Sequence, residues 1–82
     1  MLERTLKKRD RDRIQEYARD QWDRRLRLRG GMDAQTAELV RQDVKRYLKR
    51  HKVGTGILGA ILMQIAIRFA MALITRWLDQ YN

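Results

Sequence analysis

The sequence has no cysteine, no proline, a single histidine, and aromatic residues at only 7% of its 82 positions. Without cysteine no disulfide can staple the fold, and one histidine cannot build a structural metal site. A chain this short buries only about 60% of the surface its unfolded form would expose, so a compact monomeric core is marginal. Lipid or partner subunits are the remaining sources of stability. The absence of cysteine also fits a reducing compartment. The opening stretch MLERTLKKRDRDR lacks the apolar segment of a secretory signal, so cleavable export is not expected.

Acidic residues are in the minority. Nineteen Lys and Arg face ten Asp and Glu, a formal net charge of +9. Most of that excess lies before residue 57, and the remainder of the chain is largely apolar. A basic field of this kind favours anionic partners such as nucleic acid, acidic lipid headgroups or acidic protein surfaces, without choosing among them.

With no proline to interrupt them, helix-like stretches are punctuated only by glycine, at Gly30, Gly31, Gly54, Gly56 and Gly59. The expected class is all-α: a basic N-terminal hairpin of two amphipathic helices, followed by one long apolar helix. The corresponding segments are 1–31, 32–53 and 54–82. In the first, Ile14, Tyr17, Ala18, Trp22 and Leu26 make a narrow apolar stripe at helical spacing, and the stripe fades before Ile14. Arg29-Gly30-Gly31 resembles a nucleic-acid-binding triplet, but helix termination explains both glycines. Asp33 is placed to cap the second helix, whose Ala37, Val40, Val44, Tyr47 and Leu48 share a face. Short linkers suit a hairpin with Tyr17, Trp22, Val40, Val44 and Tyr47 inside.

The third helix is the most informative. Its apolar run is long enough to cross a hydrocarbon core, with 56–76 as the expected transmembrane segment. Gln64 and Arg68 nevertheless lie one turn apart within it. Together with Gly56, Gly59, Ala60 and Thr75 they form a small-residue and polar seam, expected to face another copy of the helix. Arg68 can snorkel toward water. Lys45, Arg46, Lys49, Arg50 and Lys52 precede the helix and are expected to meet anionic headgroups. Tyr47, Trp77 and Tyr81 are the expected membrane-interface anchors. The lysine and arginine excess before the helix predicts an N-terminus on the inner side and a C-terminus outside.

No catalytic residues, cofactor or metal ligands are expected. His51 sits in a basic cluster, and no phosphate-binding loop, metal-ligand spacing or nucleophile motif is present. The reading is a small, non-catalytic, membrane-anchored structural protein that self-associates through its third helix. Arg4, Lys7, Lys8, Arg9, Arg11 and Arg13 are then expected to contact an acidic partner, either nucleic acid or a protein shell. Minor membrane proteins of virions share this layout by analogy. The first alternative is a soluble helical scaffold that oligomerises through residues 57–78 and binds nucleic acid or acidic protein. The second is a small membrane-permeabilising lysis protein.

Overall fold

The structure, a computed structural model, describes residues 5–26, 32–54 and 56–81, the last without its side chain. The described residues form three helices and no strand: α1 (Lys8–Gln21), α2 (Ala34–Arg50) and α3 (Gly59–Tyr81). Among the described residues of the charged front, the helix begins at Lys8. Leu6, just ahead of it, is already buried in the core.

Alpha-helical geometry explains an irregularity after α1. Ile14, Ala18, Trp22 and Leu26 are buried and each lies four residues from the next. At 3.6 residues per turn, every such step drifts about 40° around the helix. A π-helical turn over Trp22–Leu26 is wider and counteracts the drift, so Leu26 stays in the core. The buried face of α2 repeats the four-residue step, through Thr36, Val40, Val44 and Leu48. Asp33 caps this helix, its carboxylate accepting the Thr36 backbone N–H at 2.7 Å.

The C-terminus of α2 closes with two backbone bonds, from Val53 N–H to the Leu48 carbonyl at 2.9 Å and from Lys52 N–H to the Lys49 carbonyl at 3.2 Å. This is a Schellman closure, with buried Leu48 and Val53 as its apolar pair. Its left-handed residue is Lys52, φ 57°, where glycine is the usual occupant.

Gly54 then turns the chain at φ 80°. A Cβ on Gly54 would stand 2.7 Å from the Gly59 carbonyl oxygen and 3.0 Å from the Met63 nitrogen. A Cβ on Gly59 would in turn run into the Gly54 carbonyl group. Two glycines therefore let the loop press its backbone onto the first turn of α3.

The apolar helix does not stand apart from the hairpin. Its Ala66, Ile67, Ala70 and Ile74 are buried in the same core as Ile14, Trp22, Val40 and Leu48. Ala66 and Ala70 bring the α3 backbone close to its neighbours, and Ile67 and Ile74 fill the space on either side. The result is one three-helix bundle, rather than a hairpin tethered to a free rod.

Candidate membrane and partner interface

Burial of Ala66, Ile67, Ala70 and Ile74 fixes the rotation of α3, because these residues span one face of a helix. The opposite face carries Ala60, Ile61, Gln64, Arg68, Ala72, Thr75, Arg76 and Asp79, all exposed. The seam residues Ala60, Gln64, Arg68 and Thr75 thus lie together on the outside, away from the hairpin. Gly56 is also exposed. Gly59 is not: it is buried against Gly54, and its small size serves the chain's own turn. Thr75 turns its hydroxyl back onto the Met71 carbonyl at 2.9 Å, as serine and threonine do within helices.

Beside the polar line runs an apolar one. Ile57 is fully exposed, Leu58 and Ile61 are 60% and 59% exposed, and Leu62, Ile65 and Phe69 are half-buried. Within Gly59–Gln80 the most apolar 18-residue window has a mean hydropathy of 1.5, and the segment is long and apolar enough to cross a bilayer. Ala66, Ile67, Ala70 and Ile74 are buried, and Leu62, Met63, Ile65, Phe69, Met71, Leu73, Trp77 and Leu78 are half-buried against the core, so the large apolar side chains left exposed gather at the start of the helix.

The basic residues ahead of α3 are exposed without exception: Lys45, Arg46, Lys49, Arg50 and Lys52. Arg46 is engaged, donating to Asp43 at 3.3 Å, and Arg25 binds the other oxygen of that carboxylate at 2.7 Å. Asp43 thereby ties the end of the first helical segment to α2. Of the six basic residues assigned to an acidic partner, Arg4 lies outside the described residues. Lys7, Lys8 and Arg9 are exposed. Arg11 and Arg13 are half-buried and do not share that surface fully, the Arg11 Nε being sealed from solvent.

The expected membrane-interface anchors have neighbours within the bundle. Tyr47 stacks on Tyr17 with ring centroids 4.1 Å apart, and its hydroxyl donates to the Arg13 carbonyl at 3.3 Å. His51 packs against the same ring at 4.3 Å. The Tyr17 hydroxyl donates to the Asp43 carbonyl at 3.3 Å and accepts from Gln21 at 3.1 Å. Burial pushes both phenols above their ordinary pKa, with Asp43 adding to the effect at Tyr17. Trp77 lies 6.4 Å from Trp22, and the Arg19 guanidinium sits 5.2 Å from its ring centroid, a cation–π contact. Tyr47 and Trp77 therefore fasten α1 to α2 and α3; the hairpin expected from the sequence already has Tyr47 inside, whereas the role of Trp77 lies outside it. Tyr81 closes α3.

An open groove along α1 is lined by Asp12, Gln15, Glu16, Asp20 and Asp23, with Arg19 among them and Tyr17, Tyr47 and Trp77 beside them. Arginines interspersed along the linear sequence mask this acidic strip on a strongly basic chain. No group of three or more His, Cys, Asp or Glu among the described residues could hold a metal ion. No protein family, curated protein or solved structure matches the chain.

Proposed function

We propose that this is a small, non-catalytic structural protein that associates with a membrane through α3. The observation that carries the reading is a helix of membrane-spanning length with exposed apolar side chains at its N-terminal end, Ile57 and Leu58 just before it and Ile61 in its first turn. Large exposed apolar surface on a soluble monomer is a liability unless something covers it. Lipid covers it without requiring a shaped partner. Lys45, Arg46, Lys49, Arg50 and Lys52 lie on the N-terminal side of α3, where each contributes up to about 1 kcal/mol of attraction to anionic headgroups. Full crossing requires the hairpin to release Ala66, Ile67, Ala70 and Ile74, since its charged outer surface stays in water. The lysine and arginine excess then holds the N-terminus on the inner side. There Lys7, Lys8 and Arg9 face an acidic partner such as nucleic acid or a protein shell.

Flotation with vesicles of phosphatidylcholine and phosphatidylserine tests this reading. The protein is expected to float, to resist extraction by carbonate and high salt, and to need detergent for release. Protein that stays dispersed in plain buffer and does not float overturns the reading.

One observation favours a second reading, a soluble self-assembling scaffold: polypeptide already covers one face of α3, at Ala66, Ile67, Ala70 and Ile74. In that case further copies would cover the remainder, and flotation would fail.

A further inference from the structure

Two rows of charge run along α1 and α2 with the same spacing and opposite signs, exposed throughout except at the half-buried Asp20 and Asp23. On the first helical segment the row is Arg9, Asp12, Glu16, Asp20 and Asp23. On the second it is Glu38, Arg41, Lys45, Lys49 and Lys52. Each steps by three, four, four and three residues, which keeps Arg9 to Asp20 and Glu38 to Lys49 on one helical face, while Asp23 lies in the π turn and Lys52 just past the end of α2. Read from the N-terminus, the first row is one positive charge followed by four negative. The second is one negative followed by four positive. Even the exception at the head of each row is matched by its counterpart.

The rows are not paired with each other within the chain. Asp20 and Asp23 make pairs along their own helix, with Arg24 at 3.0 Å and Arg19 at 3.8 Å. None of Asp12, Glu16, Arg41, Lys45, Lys49 or Lys52 has an ion-pair partner among the described residues. The last row member supplies a second observation. Lys52 holds a left-handed conformation in which a side chain costs about 1–2 kcal/mol, at a position where glycine is the common choice.

We infer that the acidic row of one copy docks against the basic row of another copy, with α1 and α2 side by side and parallel. That alignment sets Arg9 against Glu38, Asp12 against Arg41, Glu16 against Lys45, Asp20 against Lys49 and Asp23 against Lys52. The groove beside α1 receives the lysine stems between its carboxylates and the rings of Tyr17 and Tyr47, the Trp77 ring being covered already by Arg19. Arg19 over Trp77 already demonstrates that contact for a cation. Because each copy presents one row of each kind, the contact either closes reciprocally between two copies or propagates head-to-tail into a ring or an open chain. Exposed ion pairs are individually weak and screened by salt, so the association is labile in solution. It strengthens where copies are concentrated on one surface.

Charge reversal in nonionic detergent tests this, because the detergent covers α3 and leaves the result independent of membrane attachment. Sedimentation velocity of the wild type at low salt is expected to show concentration-dependent association that is lost at about 0.3 M salt. The double variants Asp12→Lys with Glu16→Lys, and Arg41→Glu with Lys45→Glu, each turn two attractions into repulsions. Each is expected to weaken association on the order of 30-fold. Mixing the two variants restores opposite signs at every contact and is expected to recover the association. Wild-type protein that stays monomeric, variants that associate as the wild type does, or a mixture no stronger than its parts would each overturn the inference.

Discussion

Replacing Ala70 with leucine separates the two coverings open to α3. Ala70 is wholly buried where α3 meets the hairpin, with Ala66, Ile67 and Ile74 around it. A leucine there adds three carbons to a closely packed contact, and overpacking of this kind costs about 1–3 kcal/mol. For a chain of 82 residues, an unfolding entropy of roughly 2.1 cal/mol/K per residue converts 2 kcal/mol into a Tm lowered by about 12 °C. The same substitution makes α3 more apolar, and a leucine near the centre of a spanning helix favours insertion by about 0.5 kcal/mol. The two effects have opposite signs. Thermal unfolding in buffer, followed by circular dichroism, reads the first. Flotation on phosphatidylcholine and phosphatidylserine vesicles reads the second. The Tm is expected to fall while the vesicle-bound fraction holds or rises. A bound fraction that falls together with Tm would refute the idea that hairpin and bilayer compete for the same face of α3.

Three further outcomes follow from the backbone and the buried phenols. Lys52→Gly relieves the left-handed side chain at the end of α2, and after the greater freedom of glycine is counted it is expected to stabilise by about 0.5–1 kcal/mol, raising Tm by about 3–6 °C. Gly59→Ala drives a methyl into the Gly54 carbonyl group and is expected to destabilise by about 1–3 kcal/mol in urea unfolding; a loss below about 0.5 kcal/mol would show that the loop can lift away freely. Because burial raises the pKa of Tyr17 and Tyr47, the fold favours their neutral forms, so their contribution is complete below about pH 10 and is lost as pH rises through the folded values. Tm measured against pH is expected to fall less steeply at the alkaline end when both residues are phenylalanine.

Helical periodicity made much of this fold legible. Ile14, Ala18, Trp22 and Leu26 on one helix and Val40, Val44 and Leu48 on another point to a hairpin, and Asp33 three residues before Thr36 marks where α2 begins. The docking of α3 was harder to read. Its apolar residues cover most of its circumference, so no single stripe stands out as the contact face. Alanine, a weak hydrophobic signal, is what the closest approach uses, at Ala66 and Ala70. The polar seam was visible, but a seam records only which residues share a face, and the hairpin took the opposite one. Gly59 belongs to the same lesson. A small residue near an apolar helix suits contact with another helix, yet its partner is Gly54, five residues away. The matched charge rows were hidden because each is diluted by neighbours of the other sign, and only the helical projection separates them.

The outward position of Gln64 and Arg68 bears on how firmly α3 can be committed to lipid. Residues 57–75 contain nine Leu, Ile and Phe, which favour insertion by roughly 4 kcal/mol when each contributes about 0.3–0.6 kcal/mol. An arginine well inside the segment opposes insertion by about 2.5 kcal/mol, less whatever snorkelling recovers. The margin left before Gln64 is counted is about 1–2 kcal/mol. Releasing Ile67 and Ile74 from the hairpin costs more than that in water, since each fully buried aliphatic side chain is worth about 1.5–3 kcal/mol. Once α3 enters lipid, however, those side chains exchange one apolar surrounding for another, and most of that cost is recovered. The balance then rests on the remaining hairpin surface, where Ile14, Trp22, Val40 and Leu48 would lose their cover. The hairpin's grip, more than the hydropathy of α3, therefore sets which state prevails. Basic residues that bring the hairpin to an anionic surface, and copies that dock beside it there, act on that grip directly.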